Sequence, residues 1–179
     1  FDRGSLIINF TGHGNEKQWT DEKIFSNEEI DELENDLYPF LVTATCEFGR
    51  QDDPTVVSSA ELSVLQPKGG AIGLVTTARP VNAGTNFVLN QEFYKALFQK
   101  QDSRYGTLGE IFLNTKNNST SGVANRNFSL LADPSMSLAM PSESVMVTSI
   151  ETSTGSDTLK ALSTVRLAGE IQDESGTLI

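Results

Sequence analysis

A chain of 179 residues with 37% hydrophobic side chains is long enough to bury a core of its own. Its 13 basic and 24 acidic residues give a net charge of −11, which argues against nucleic acid as a partner, because nucleic acid requires clustered Lys and Arg. The single cysteine excludes an internal disulfide and a cysteine-rich zinc site, and no apolar run reaches the length of a transmembrane segment.

The first two thirds of the chain alternate apolar runs with helix signals. Three runs have the pattern of strands buried on both faces, at residues 5–11, 38–46 and 71–77. The chain enters the first of them almost at once and without the pattern of a signal peptide, so we expect it to be part of a larger protein.

Helix starts are predicted from residue pairs with the spacing of a capping box. These pairs are Ser26 with Glu29, Ser58 with Glu61, and Thr107 with Glu110. A longer amphipathic helix is predicted over residues 86–99. Strands that alternate with helices over short connections predict an α/β fold, with a parallel sheet and covering helices.

The pattern changes after a polar loop at residues 117–127. Residues 128–141 carry short strand signals, and from Val145 onward apolar residues alternate with polar ones. We expect one domain over residues 1–141, and over residues 142–179 the start of an antiparallel β-sandwich of the immunoglobulin type.

The chain's only histidine and its only cysteine follow the first two predicted strands. His13 stands between two glycines after the first strand, and Cys46 ends the second. If these strands pair in parallel, the two side chains lie at one edge of the sheet, where a Cys–His pair can act as an activated sulfur nucleophile. Taken singly, Cys46 is typical of a small buried residue and His13 of a turn residue.

Gly14 extends this hypothesis, because a residue without a Cβ lets a substrate backbone approach closely. Its N–H and that of Cys46 are candidates for an oxyanion hole.

Several segments together resemble the gingipain-like cysteine peptidases of the caspase-like clan. They are "GHG" after an apolar strand, "TATCEFGRQDDP", "SSAELSVLQPKGGAIGLVTTARPV", "NFVLNQEFYKALF" and "NFSLLADPSMSLAMP". The resemblance implies a caspase/gingipain-like sheet over residues 4–141, of which the N-terminal strands are missing here, followed by an immunoglobulin-like domain. It also implies that His13 is the general base or acid, Cys46 the nucleophile, and Gly14 with Cys46 the oxyanion hole.

The same resemblance implies that residues 76–80 line the primary specificity pocket, including Thr76 and Thr77. Arg79 there could bind a carboxylate or an anionic sugar, or form a structural ion pair. Trp19 could wall the pocket or belong to the core. Glu47 could orient His13 or line the pocket.

The chemistry requires no cofactor, although gingipain-like enzymes bind calcium. Gln51, Asp52 and Asp53 offer oxygen atoms, but without an EF-hand pattern this stretch is more typical of a solvated loop.

The resemblance is strongest to the sortase-type members of the family, which serve the type IX secretion system of Bacteroidetes. It implies a cell-surface, outer-membrane-associated or secreted cysteine endopeptidase or transpeptidase. Such an enzyme removes C-terminal sorting domains from secreted proteins and attaches these proteins to lipopolysaccharide, alongside other secretion-system components. The alternative is a catalytically inactive structural or adhesion component with the same fold. A small-molecule α/β enzyme fits poorly, since no phosphate-binding glycine loop is present.

Overall fold

The computed structural model describes residues 1–102, 104–152, 159, 161–173 and 175–179. The contacts among these residues divide the chain into two units, Phe1–Ala139 and Met140–Ile179. Each unit is described by itself.

The first unit alternates strands and helices. Its strands are β1 (Ile7–Thr11), β2 (Gly14–Asn15), β3 (Gln18–Trp19), β4 (Phe25–Ser26), β5 (Phe40–Ala44), β6 (Gly73–Thr77), β7 (Lys100–Gln101), β8 (Arg104–Tyr105) and β9 (Phe128–Leu131). Its helices are α1 (Asn27–Asp31), α2 (Ser59–Leu65), α3 (Ala83–Phe98), α4 (Leu108–Asn118) and α5 (Val123–Arg126). Within the described residues, no helix combines the length and the apolar character needed to cross a membrane.

The central sheet has the strand order β1-β5-β6-β9. The strands β1, β5 and β6 pair in parallel, as predicted, whereas β9 runs antiparallel to β6. Along the chain, β6 and β9 are connected by a segment that contains α3 and α4, which pack against each other. This segment ends near the carboxyl end of β6, where the antiparallel β9 begins. The fold is therefore α/β, as predicted: the three strands expected to be parallel are parallel, and β9 adds an antiparallel strand at one end of the sheet.

The burial of β1 also differs from the prediction. Every residue of β5 and β6 is buried, which agrees with strands covered on both faces. In β1, Asn9 and Thr11 are exposed and the other residues are half-buried. The cause is position, because β1 lies at an edge of the sheet and has β5 as its strand neighbour in the described part of the chain.

The helices begin where local capping fixes them. The three predicted capping boxes are present, at the starts of α1, α2 and α4. α3 begins at Ala83 instead of residue 86, because the side chain of Asn82 accepts a hydrogen bond from the Thr85 N–H at 2.9 Å. The short helix α5 lies in the segment predicted to be a polar loop.

A small antiparallel sheet follows β1, and the sequence did not predict it. Gly14 of β2 lies opposite Trp19 of β3, and Trp19 lies opposite Phe25 of β4. The Trp19 ring stacks on Phe10 with 4.5 Å between ring centroids and packs against Phe25 and Phe48. Strands of two residues are too short to show an alternating pattern, so aromatic packing is what fixes this sheet.

The second unit contains the antiparallel pair β10 (Ser144–Thr152) and β11 (Val165–Gln172). The pairing shifts register between Val147 and Ser149, as at a β-bulge. Antiparallel strands in this region agree with the alternating pattern of the sequence. An immunoglobulin-like domain that begins here stays a prediction.

Candidate active site

His13 and Cys46 follow neighbouring parallel strands at the same level of the sheet. In the register of β1 and β5, Thr11 lies opposite Ala44. His13 and Cys46 each stand two residues further along, beyond the carboxyl ends of the strands, where open α/β sheets place their sites. Both residues line one cavity, so the structure brings together the two residues that the sequence singled out.

The cavity has a volume of about 140 Å³. Its walls come from the end of β1, from the turn after β5, and from Val81 together with the first turn of α3. The lining residues are Thr11, Gly12, His13, Cys46, Val81, Ala83 and Asn86. The last three of these belong to a part of the site that the sequence analysis did not identify.

The Cys46 thiol is half-buried and donates a hydrogen bond to the backbone carbonyl oxygen of Val81, with 3.4 Å between sulfur and oxygen. The thiol hydrogen is directed at Val81, because a carbonyl oxygen can only accept a hydrogen bond. The imidazole of His13 makes no hydrogen bond to any residue that the structure describes. Transfer of the thiol proton to His13 therefore requires that the hydrogen bond from Cys46 to Val81 break.

The carbonyl oxygen of Ala44 connects three elements around the site. It accepts a hydrogen bond from the Gly12 N–H at 3.3 Å and one from the Asn86 side-chain nitrogen Nδ2 at 2.9 Å. Gly12 directly precedes His13, and Ala44 lies two residues before Cys46. The two bonds thus tie both strand ends to the first turn of α3.

Asn86 is buried, with 5% of its surface exposed, and its two polar atoms are in different situations. Nδ2 is bonded to Ala44, whereas Oδ1 is buried without a hydrogen-bond partner. An unpaired buried acceptor of this kind costs about 1–3 kcal/mol, so native proteins rarely keep one without a use. A role for Asn86 in the site was not predicted, because the predicted helix started at this residue, where a side chain has no defined inner face.

Gly14 packs closely against the residue that precedes Cys46. A Cβ atom at Gly14 would lie 3.0 Å from the Gln18 carbonyl oxygen and 3.3 Å from the Cβ of Thr45. The Thr20 N–H donates to the His13 carbonyl oxygen, so Gly14 and Trp19 form a non-hydrogen-bonded pair that leaves the Gly14 N–H outside the ladder. The absence of a side chain is thus needed for packing, and the N–H stays available as a donor.

Trp19 lies in the core and not on a pocket wall. Only 5% of its surface is exposed, and aromatic rings surround it. Of the two alternatives for this residue, its burial fits the core.

Glu47 does not reach His13 through any hydrogen bond between described residues. Its carboxylate pairs with the guanidinium of Arg50 at 3.3 Å, and Arg50 also contacts Asp53 at 3.2 Å. The backbone of Glu47 has a φ of +54°, in the left-handed region, and turns the chain immediately after Cys46. In this structure Glu47 therefore shapes the turn and is not placed to orient His13.

Thr76 and Thr77 are fully buried in β6, so neither lines an open pocket in this structure. The Thr77 hydroxyl donates to the Thr45 carbonyl oxygen, next to Cys46. Thr76 lies against Gly49, whose missing Cβ makes room for it. β6 is a central strand with both faces covered, and a contact between these threonines and substrate stays a prediction.

Arg79 forms a two-pronged ion pair with the carboxylate of Asp52, at 2.6 and 2.5 Å. About half of each side chain is exposed, 43% for Arg79 and 50% for Asp52. The structural ion pair is thus the alternative that this structure contains, and Arg79 is already occupied by a carboxylate of its own chain.

The same contacts bear on calcium binding. Asp52 is neutralised by Arg79. Hydrogen bonds from Thr55, together with Arg50 and Arg79, hold the pKa of Asp53 below its usual value. Among the described residues, no group of three or more His, Cys, Asp or Glu side chains could hold a metal ion. In this structure the carboxylates of Asp52 and Asp53 are paired with arginines of the same chain, and calcium binding stays a prediction.

A second depression lies beside the cavity, with Val81 in the wall of both. Its volume is about 380 Å³. The described residues that line it are all uncharged: Pro80, Val81, Asn82, Thr85, Val123, Ala124 and Asn127.

Three solved protease structures are similar in fold to this chain. A solved protein described as "Structure of Protease" aligns with 99% of this chain at a TM-score of 0.68 and 14% identity. The complex of the pro- and mature domains of Porphyromonas gingivalis RgpB aligns with 82% of the chain, at a TM-score of 0.65 and 20% identity. The Arg-specific cysteine proteinase gingipain R aligns with 82% of the chain, at a TM-score of 0.67 and 19% identity. At these identities the three structures show a shared fold.

The chain spans 48% of the first of these structures, 38% of the second and 37% of the third. No curated protein sequence matches it. The sequence profile described as peptidase family C25 matches residues 1–139, which cover the whole sheet, the cavity, His13 and Cys46. The chain therefore belongs to peptidase family C25.

Proposed function

We propose that this chain carries the catalytic Cys–His pair of a cysteine peptidase, with Cys46 as nucleophile and His13 as general base and acid. The observation that carries the proposal is the shared cavity of the two residues, beyond the carboxyl ends of adjacent parallel strands. Membership of family C25 supports it independently.

The reaction begins when the imidazole of His13 takes the thiol proton of Cys46. The thiolate then attacks the carbonyl carbon of a peptide bond and forms a carbon–sulfur bond, while the carbonyl oxygen becomes an oxyanion. As the intermediate collapses, the carbon–nitrogen bond breaks and the leaving amine takes the proton from the imidazolium. The product of this half-reaction is a thioester on Cys46.

In the second half-reaction, water or an amine attacks the thioester carbonyl and gives up a proton to His13. The carbon–sulfur bond breaks, and the sulfur recovers its proton from the imidazolium. The two backbone donors proposed for the oxyanion are the N–H groups of Gly14 and Cys46. The first lies outside the sheet ladder, and the second has no acceptor among the described residues. Each donor of this type contributes about 3 kcal/mol in well-studied hydrolases.

The finer form of the proposal is a sortase that resembles PorU of the type IX secretion system. In this form the enzyme cleaves the C-terminal sorting domain from a secreted protein at the cell surface, and an amine on anionic lipopolysaccharide resolves the thioester. Its partners are the secreted proteins, the lipopolysaccharide acceptor and other secretion-system components. The support is the resemblance of the segments around His13 and Cys46.

The uncharged depression beside the cavity supports a substrate side chain without charge next to the cleaved bond. Gingipain R is described as Arg-specific, and recognition of an arginine side chain normally uses a carboxylate. The depression offers amide, hydroxyl and apolar groups instead.

The test is covalent trapping in the full-length protein with a peptide that carries an acyloxymethyl ketone. We expect labelling of Cys46 in the wild type, none in Cys46→Ala, and slow labelling in His13→Ala. Circular dichroism shows whether the variants remain folded. Undiminished labelling of folded Cys46→Ala would reject the proposal.

A second measurement separates hydrolysis from transfer. Mass spectrometry of the products formed from a secreted protein, with and without competing amines, detects either a free carboxylate or a new amide. A product with only free carboxylate in saturating amine would reject the sortase form and leave the peptidase intact.

The second candidate is a non-catalytic component of a secretion or adhesion system. The contact that favours it is the hydrogen bond from the Cys46 thiol to Val81, because the thiol proton is directed away from His13. Absence of labelling in the wild-type protein, under conditions in which iodoacetamide still alkylates Cys46, would support this candidate.

A further inference from the structure

We propose that Asn86 positions His13: its Oδ1 accepts a hydrogen bond from one imidazole nitrogen and leaves the other nitrogen facing Cys46. The proposal rests on the Cys–His function proposed above. It is carried by the meeting, in one cavity, of an unpartnered buried acceptor and an imidazole that makes no hydrogen bond to the described residues.

The orientation of the Asn86 amide follows from its anchor. A carbonyl oxygen can only accept, so the group that faces the Ala44 oxygen at 2.9 Å must be the NH₂ of Asn86. Oδ1 therefore points away from Ala44 and is fixed as an acceptor. Asn86 cannot flip without losing this bond, which makes it a rigid support.

Few side chains of the cavity wall can donate to Oδ1. The side chains with a hydrogen to give are those of Thr11, His13 and Cys46. The Cys46 proton is taken by Val81, whereas the Thr11 hydroxyl accepts a hydrogen bond from Asn90 Nδ2 at 2.9 Å and keeps its own hydrogen. The lining donors without an acceptor in the described part of the chain are thus the imidazole N–H of His13 and the Thr11 O–H, and the proposal assigns Asn86 Oδ1 to His13.

Such a bond decides what the imidazole can do. A neutral imidazole has one N–H and one lone pair, and whichever nitrogen donates leaves the other free to accept a proton. When Oδ1 holds the N–H, the lone pair is directed to the thiol. Because Asn86 also binds Ala44, the same residue fixes the Cys46 strand and the His13 ring relative to each other.

The test measures alkylation of Cys46 by iodoacetamide in the full-length protein, followed by mass spectrometry of the peptide that contains Cys46. Rates are compared at pH 6.5, where the thiolate depends on proton transfer to an imidazole, and at pH 9.5, where an ordinary thiol ionises unaided. The variants are Asn86→Ala, Asn86→Asp, His13→Ala and the control Asn90→Ala. Asn90 lies one turn along α3 and also ties the helix to a strand, but it does not line the cavity.

At pH 6.5 we expect Cys46 of Asn86→Ala to be alkylated at least about tenfold more slowly than in the wild type, which is part of the rate gain that a positioned base contributes. At pH 9.5 we expect the two rates to be equal. Asn86→Asp also loses the donor to Ala44 but keeps an acceptor, so it should recover the rate at pH 6.5. Asn90→Ala should match the wild type at both pH values.

Three results would overturn the proposal: a wild-type rate for Asn86→Ala at pH 6.5, equal losses for Asn86→Ala and Asn86→Asp, or equal losses at both pH values. The last two would indicate a structural role through Ala44. If His13→Ala itself reacts like the wild type at pH 6.5, the Cys–His pair fails instead, and the two failures are thus distinguishable.

Discussion

His13 and Cys46 stand at equivalent positions on two parallel strands, each two residues beyond the register pair of Thr11 with Ala44. The two side chains line one cavity, and the Ala44 carbonyl oxygen fixes both strand ends by accepting bonds from Gly12 and Asn86. The relative position of the candidate base and nucleophile is thus set by backbone pairing and not by flexible loops.

Gly14→Ala is expected to impair both packing and activity. The new Cβ would lie 3.0 Å from the Gln18 carbonyl oxygen and 3.3 Å from Thr45, so β2 must move away from the turn that carries Cys46. We expect destabilisation of about 1–3 kcal/mol from overpacking, with a fall in kcat larger than the change in KM. Urea unfolding and steady-state kinetics measure the two effects. Unchanged kcat and stability would contradict this expectation and show that the turn accommodates a Cβ atom at Gly14.

Trp19→Ala is expected to destabilise the peptidase unit by about 3–5 kcal/mol, because it empties a buried aromatic site. Trp19→Phe keeps most of the ring contacts and should retain KM. Thermal unfolding and KM measurements check these expectations. If Trp19→Phe raised KM severalfold without a loss of stability, the side chain would contact substrate and the assignment to the core would be wrong.

Replacing Arg79 should have a small effect on folding. Its ion pair with Asp52 is about half-exposed, and exposed pairs contribute less than about 1 kcal/mol. A double-mutant cycle with Arg79→Met and Asp52→Asn measures the coupling by urea unfolding. We expect KM to stay within about twofold of the wild type, since the two groups neutralise each other. A large rise in KM for Arg79→Met alone would indicate that Arg79 binds an anionic substrate group.

Acid stability should depend on Glu110. Hydrogen bonds from Arg104, followed by the Thr107 N–H at the start of α4, lower the pKa of Glu110 from 4.5 to about 2. A carboxyl with a lowered folded-state pKa stabilises the fold above its unfolded pKa, and this contribution is lost as the pH falls from about 4.5 to about 2. The melting temperature should therefore fall less steeply over this range in Glu110→Gln than in the wild type. Parallel curves for the two proteins would contradict the assignment.

The features that the sequence predicted correctly are local ones. Capping boxes involve residues three positions apart, and the buried strands β5 and β6 are continuous apolar runs, so both can be read without knowledge of the tertiary structure. The closeness of His13 and Cys46 followed from one further rule, that parallel strands place their carboxyl ends at one edge.

The features that were missed depend on contacts between distant segments. The antiparallel β9 follows from the packing of α3 against α4, and the exposure of β1 follows from its place at the sheet edge. The place of Asn86 in the site depends on its 2.9 Å hydrogen bond to Ala44, which is 42 residues away in the sequence.

The central claim, that His13 and Cys46 act as one catalytic unit, is tested most directly by comparing single and double variants. The measurement is kcat/KM of the full-length His13→Ala, Cys46→Ala and double variants, on the secreted protein identified by the product analysis. Because residues that act as a unit have strongly non-additive effects, the double variant should be no slower than the slower single variant. Losses that multiply in the double variant, or a His13→Ala enzyme as fast as the wild type, would contradict the claim.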